Sequence, residues 1–215
     1  MKKKLAFGLI ADGNRRWAKS HGMPIAKGHE TGFNVVKDIV LPVLYEDPDW
    51  STLVVYGFST ENWKRSPAEV ADLMKLYIQM AEEWPKEIRE KRIKFTRAGR
   101  TDRLPKNLVA KLNALETETQ DHKDFHLVLC LDYGSQDEIK RAVAAGGDEF
   151  VNHLEVPSLD LILRSGGEQR LSNFCLWQAA YAEFNFHVKK LPELTAKDIE
   201  IVLADFSERQ RRKGK

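Results

Sequence analysis

The 215 residues (24.7 kDa) suffice for one domain, with a core large enough to need no disulfide staples. Apolar residues at 42% and charged residues at 31% exclude a disordered chain, and 34 Lys and Arg against 32 Asp and Glu leave a net +2, too little for a general nucleic-acid binder. Cys130 and Cys175 are too few for a disulfide framework or a cysteine zinc site, so they are expected as small core residues in a reducing cytoplasm.

The chain opens MKKKLAFGLIADGN, whose apolar stretch Leu5–Ala11 is too short for a signal peptide or a membrane span and reads as a first strand. Any membrane contact would therefore be peripheral. A helix is expected to start around Gly13–Arg16, and helical spacing returns at Thr31–Tyr45. Thr52–Phe58 is the second strand. Pro67–Glu90 is the longest helix, with Val70, Leu73, Met74, Tyr77, Met80, Ala81, Trp84 and Ile88 on a broad apolar face and Pro85 as a possible kink. Strands at Ile93–Ala98, Phe125–Leu131, Leu159–Leu163 and Phe184–Val188 follow. They alternate with helices at Pro105–Thr119, Ser135–Ala145, Asn173–Ala182 and Ala196–Arg211, and Gly146-Gly147 marks a turn. Strands read as near-continuous apolar runs when both faces are covered, so the alternation predicts a single α/β domain over residues 1–215. Its sheet has six mostly parallel strands flanked by helices.

Ligands of open α/β sheets bind beyond the carboxyl ends of the strands. After strand 1 come Asp12, Gly13, Asn14, Arg15, Arg16 and Trp17, and after strand 2 come Ser59 through Arg65. After strand 4 come Asp132-Tyr133-Gly134, and after strand 5 Arg164-Ser165-Gly166-Gly167 and the run to Asn173. One early carboxylate, several arginines and glycine-rich turns suit a Mg²⁺-assisted polyphosphate site. Neither GxxxxGK[ST] nor GxGxxG occurs, so the site does not look like a nucleotide fold.

Five blocks carry a family resemblance: DGNRRWA at 12–18, Gly28-His29, FSTENWKR at 58–65, RSGGEQRLSNF at 164–174, and LWQAAYAE at 176–183. In this order they resemble the cis-prenyltransferases, of which undecaprenyl diphosphate synthase is a bacterial member. The resemblance implies a homodimer that condenses isopentenyl diphosphate with an allylic diphosphate such as farnesyl diphosphate, with Mg²⁺ as cofactor. It implies Asp12 as ligand of the Mg²⁺ on the diphosphate, with Glu183 as a second acidic residue serving the metal or the partner's site. Gly13, Asn14, Arg15 and Arg16 would bind the allylic diphosphate, and Arg164, Arg170 and Ser172 the isopentenyl diphosphate. Trp17, His29, Ser59, Glu61 and Trp63 fall in the matched blocks as substrate-binding residues. Asn62 and Arg65 resemble residues that orient substrate and remove its proton. Arg212-Lys213-Gly214 resembles a C-terminal RxG motif that reaches the partner subunit.

The chain departs from the family pattern in places. Ile25 stands where an arginine is usual, the usual NYGGR reads Asp132-Tyr133-Gly134-Ser135-Gln136, and the segment between Gly134 and Asp160 is short. Small Gly57, beside Phe58, leaves room for a growing chain, which points to a medium-to-long, undecaprenyl-like product. The alternatives are a short-chain cis-prenyl synthase and a non-catalytic partner subunit.

Overall fold

The computed structural model describes residues 4–210. The strands are β1 (Leu5–Ile10), β2 (Trp50–Ser59), β3 (Ile93–Ala98), β4 (Phe125–Tyr133), β5 (Leu161–Arg164) and β6 (Glu183–Phe186). They form one six-stranded sheet in the order β3-β4-β2-β1-β5-β6, and every pair is parallel. The helices are α1 (Asn14–Ser20), α2 (Ile25–Val35), α3 (Leu41–Glu46), α4 (Pro67–Glu90), α5 (Lys106–Thr119), α6 (Ser135–Gly146) and α7 (Ala196–Glu208). A π-helical turn, Val36–Val40, joins α2 to α3.

Alternation along the strands fills two apolar layers. Phe7, Leu9, Leu53, Val55, Leu127 and Leu129 point into the larger one, which α4, α5 and α7 complete with Leu73, Trp84, Leu108, Leu112, Val202 and Phe206. Ala6, Ile10, Val54, Tyr56, Val128 and Cys130 point the other way, onto Phe174, Cys175 and Ala179. Both cysteines are free and buried. Because each strand is covered on both sides, its sequence loses the polar-apolar alternation of a half-exposed strand.

Helix α4 starts on a Ser66 cap with Pro67 in its first turn, and it runs through Pro85 to Glu90. Three expected helices are corrected. The helix expected from Thr31 begins at Ile25, because Gly28 and Gly32 let its first turns press onto α1. A Cβ on Gly28 would lie 2.3 Å from the Asn14 carbonyl oxygen, and one on Gly32 2.2 Å from Asn14 Oδ1. The segment Asn173–Ala182 is a run of turns rather than a helix. Ser172, Asn173 and Cys175 hold φ of 51°, 65° and 45°, in the left-handed region that a right-handed helix cannot contain. The final helix ends at Glu208 rather than Arg211. Among the described residues no helix is long and apolar enough to cross a membrane.

Candidate active site

In the parallel register Ile10 sits beside Arg164, so the segments following β1 and β5 leave the sheet side by side. Ser165 ties them together: the Asp12 N–H donates to its Oγ (3.0 Å), and the Ser165 hydroxyl donates to the Asp12 carbonyl (2.7 Å). The Leu191 N–H donates to the same carbonyl (2.9 Å). Asp12 is thus held by three backbone-level contacts, and its side chain is left to face the carboxyl edge of the sheet.

The Asp12 carboxylate accepts the Gly13 N–H at Oδ1 (2.6 Å) and an Arg164 guanidinium N–H at Oδ2 (2.8 Å), with Arg16 Nη2 3.3 Å from Oδ1. Partial burial works to raise its pKa, but the hydrogen bond and charge of Arg164, the Gly13 amide and the charge of Arg16 outweigh it and hold the group below the ordinary carboxylate value. Asp12 is therefore ionised at neutral pH. It is not the helix cap that an isolated Asp before a helix suggests, because that position belongs to Gly13, at φ 100° and without a side-chain cap.

Arg164 is almost fully buried. Beyond Asp12, its fork donates to Ser172 Oγ (2.8 Å) and to the Arg170 carbonyl, while its Nε is buried without a partner. One guanidinium thus fixes the loop after β5 to the carboxylate after β1. Gly166, at φ 87°, passes so close to Arg16 that a Cβ would lie 2.6 Å from its Nη2. The Arg170 side chain is exposed and pairs with Glu168 (2.6 Å), which also stands 3.5 Å from Arg16.

A short 3-10 turn, Thr60–Lys64, follows β2. Asn62 Oδ1 accepts the Ser59 N–H (3.1 Å), which sets the turn on the strand end. Glu61 accepts from Asn173 (3.0 Å) and Thr60 (3.1 Å). Arg65 lies just beyond and pairs with Glu69 (2.9 Å), whose largely buried carboxylate also lies 3.5 Å from Arg15 and from His29 Nε2. Burial first, then the positive charge of Arg65, pushes His29 down to about 4 against the opposing pull of Glu69, so its ring is neutral at pH 7. Trp17 stacks on His21 at 4.5 Å on the outer side of α1.

Three hollows meet around these groups. A polar cleft of about 450 Å³ is lined by Asp12, Gly13, Asn14, Arg15, Arg16 and Arg65, among others. An apolar cleft of about 60 Å³ is lined by Asn14, His29, Gly57, Tyr77, Phe33 and Trp84, among others. The Phe33 and Trp84 rings stack at 4.8 Å on its wall. A groove of about 500 Å³ between α2 and α4 shares His29, Leu73 and Leu76 with the apolar cleft, and Ile25 lies on its wall. Anion-binding groups therefore stand at the mouth of an apolar channel.

Most of the residues expected at the site thus come to one edge of the sheet, but Glu183 does not. It pairs with Leu161 at the start of β6, three residues before Arg164 and roughly 10 Å back along the strand. There it pairs with Arg209 (3.1 Å). Within one chain it does not share a metal with Asp12. Arg212-Lys213-Gly214 lies outside the described residues. Sequence reasoning missed Glu69, for which the Ser66-x-x-Glu69 pattern of a capping box was the available signal, and it placed Ser165 at the site edge without assigning it a role. Among the described residues no three His, Cys, Asp or Glu side chains form a metal cluster. A hard cation that keeps waters and binds through one carboxylate and substrate phosphates needs no such cluster. An ionised, part-exposed Asp12 facing a polar cleft fits Mg²⁺ in that mode.

A family model described as "Putative undecaprenyl diphosphate synthase" matches residues 10–214. The isoprenyl transferase of Helicobacter pylori strain J99 is 37% identical, covering 97% of this chain and 95% of its own. That of Thermotoga maritima is 36% identical, covering 96% and 94%. Among solved structures, lavandulyl diphosphate synthase from Lavandula x intermedia, in complex with dimethylallyl diphosphate, superposes with a TM-score of 0.89 at 33% identity over 98% of each chain. A probable undecaprenyl diphosphate synthase from Campylobacter jejuni gives 0.84 at 27% identity over the full length of both. By sequence along nearly its whole length and by fold, the chain belongs to the undecaprenyl diphosphate synthase family of prenyltransferases.

Proposed function

We propose that this protein is a Mg²⁺-assisted cis-prenyltransferase that condenses isopentenyl diphosphate with an allylic diphosphate, farnesyl diphosphate being the expected primer. The carrying observation is the ionised Asp12 between Arg16 and Arg164, at the mouth of an apolar channel. In the reaction the allylic carbon–oxygen bond breaks and its electron pair leaves with the diphosphate. The alkene pair of isopentenyl diphosphate forms the new carbon–carbon bond, and a proton is lost to set the new double bond.

Each group has a place in this scheme. Asp12 would hold Mg²⁺, which when bound would supply neutralisation of the charge developing on the leaving diphosphate. Arg15, Arg16 and the Gly13–Asn14 backbone hold that diphosphate. Arg164, Arg170 and Ser172 hold the second one, for which the unpartnered Arg164 Nε is a spare donor. Asn62 and Arg65 position the substrate where the proton leaves. Neither is a base at neutral pH, and the departed diphosphate is the acceptor at hand. Neutral His29 adds a polar contact without adding charge. The apolar channel shelters the allylic cation from water.

The favoured product is medium-to-long and undecaprenyl-like, supported by the description of the matching family model, by the Campylobacter jejuni structure and by the small Gly57 on the channel wall. The Phe33–Trp84 stack and the narrow inner cleft support a second reading, a short-chain product. A homodimer is supported by the outer edge of β6, where Phe184 and Phe186 stand part-exposed near the largely exposed Val188. Glu183 and the RxG tail would then serve the neighbouring subunit, and release of the lipid product would be at a membrane surface from the cytoplasm.

The test is incubation with farnesyl diphosphate, labelled isopentenyl diphosphate and Mg²⁺, with products resolved by length. Asp12→Asn keeps the shape of the side chain and is expected to lower turnover by at least a hundredfold. Full turnover in a folded Asp12→Asn would overturn the site. A ladder ending near undecaprenyl would support the first product reading, and one ending after one or two additions the second.

A further inference from the structure

The 3-10 turn that carries Asn62 is fixed from behind by a group the proposed reaction does not use. Asp132, at the end of β4, is fully buried and sits at φ 49°, in the left-handed region that a non-glycine residue adopts at a cost. Its carboxylate faces Arg103 through both oxygens, accepting Nε at Oδ2 (2.9 Å) and Nη2 at Oδ1. Oδ1 also accepts the indole N–H of Trp63 (2.9 Å). The Arg103 guanidinium lies over the Trp63 ring, 5.4 Å from its centroid, and Phe58 meets that ring edge-on at 5.1 Å. One buried anion thus gathers a cation and the only polar atom of an aromatic side chain, and the aromatic belongs to the turn.

We infer that Asp132 is a positioning residue, which with Arg103 clamps Trp63 and holds the Thr60–Arg65 segment closed against the sheet. The inference rests on the proposed roles of Asn62 and Arg65. The front of the turn is anchored by Asn62 to the Ser59 backbone and by Arg65 to Glu69. Behind it, the indole bond is the link to the neighbouring strand, and the two-point contact with Arg103 partners the buried carboxylate. The strained backbone at Asp132 aims the carboxylate at both partners. Its carbonyl accepts the Arg100 N–H (3.1 Å), and Gly99 packs on that stretch so tightly that a Cβ would lie 2.2 Å from the Leu131 carbonyl oxygen. Strain at this position is therefore held from the β3 side of the sheet.

Three variants test the clamp. Asp132→Asn keeps an acceptor for the indole and removes the charge that holds Arg103. Trp63→Phe keeps the ring and removes the donor. The double variant asks whether the two act through one bond. Each single variant is expected to lower kcat about tenfold, with the KM for isopentenyl diphosphate changed less than threefold. The double variant is expected to match the singles rather than reach a hundredfold, since the same clamp is lost once. Hydrogen exchange at the amides of 60–65 is expected to speed up in Asp132→Asn, with α5 and α7 unchanged.

Losses that multiply, or an unchanged kcat in a folded Asp132→Asn, would overturn the positioning role and leave Asp132 a structural residue. Exchange unchanged at 60–65 would overturn it too. The exchange experiment needs no substrate, so it judges the clamp even if the wild-type protein transfers no prenyl group, which separates this failure from failure of the proposed reaction. Should Asp132→Asn not fold, Trp63→Phe carries both readouts.

Discussion

Gly57 lines the proposed channel at a point where a side chain can be added without disturbing a charged group. It sits at the irregular step of β2, where the register to β4 shifts between Tyr56 and Phe58. A Cβ there would meet Leu131 Cδ2 at 3.1 Å, the Tyr77 hydroxyl at 3.1 Å and Leu129 Cδ1 at 3.2 Å. Each neighbour must give by a few tenths of an ångström, and all three are ends of side chains rather than backbone. Gly57→Ala is therefore expected to be nearly neutral, as overpacking is offset by roughly 0.4–1 kcal/mol from the stiffer unfolded chain. Gly57→Leu extends into a cleft of only about 60 Å³. Its overpacking should cost about 1–3 kcal/mol, a fall in Tm of roughly 2–12 °C for a chain of this size, which leaves a folded enzyme. The assay compares product lengths of wild-type, Gly57→Ala and Gly57→Leu with farnesyl diphosphate and labelled isopentenyl diphosphate. A channel past Gly57 requires the leucine variant to stop at least one unit earlier, with the first addition slowed only a few-fold. An unchanged distribution from folded Gly57→Leu would mean that the chain grows elsewhere, along the outer groove between α2 and α4.

Two further outcomes follow from the site. Arg164→Lys puts a single ammonium where a buried fork spans Asp12, Ser172 and the Arg170 carbonyl, so it should cost about 2–4 kcal/mol of stability and raise the KM for isopentenyl diphosphate at least tenfold; wild-type values in both would remove the fork from the site. His29 and His126, each pushed down to about 4 by burial, should make the fold sensitive to acid. The unfolded chain takes up protons near 6.5 that the folded chain refuses, so stability is full above that pH and falls as pH drops from about 6.5 towards 4. Urea titrations across this range should show less acid sensitivity in His126→Gln than in wild type, and an unaltered slope would contradict the burial argument.

The sheet was legible because double coverage leaves a plain mark: apolar runs without alternation. All six strands fall within a few residues of their expected bounds. The helix expected at Asn173–Ala182 failed because LWQAAYA has helical composition, while the backbone at Ser172, Asn173 and Cys175 obeys the packing of the loop that brings Ser172 to Arg164. Ile25–Glu30 failed in the opposite sense: it was left outside the expected helix, while Gly28 within it serves as contact surface. At the site, Asp12, Arg16 and Arg164 were legible from their places after strands β1 and β5. Arg103 was not, because it acts through Asp132, distant in sequence, nor was Glu69, whose contacts with Arg15 and His29 need the fold; Ser165 was placed at the edge, but its tie to Asp12 spans 153 residues. Glu183 starts β6, and only the register shows that it stands roughly 10 Å short of the carboxyl edge and apart from Asp12 of the same chain.

The close seat of α2 on Asn14 divides that helix into two surfaces with different freedom to change. Gly28 and Gly32 have no room for even a methyl group, so any substitution there would pry apart the corner that carries the diphosphate-binding groups. Ile25, His29 and Phe33 look instead into the groove and the channel, where bulk and polarity can vary without moving the corner. A library aimed at a new primer or a new chain length should therefore randomise 25, 29 and 33 and leave 28 and 32 untouched. Descendants of this fold can diverge in the substrate they accept while the machinery that cleaves it stays fixed.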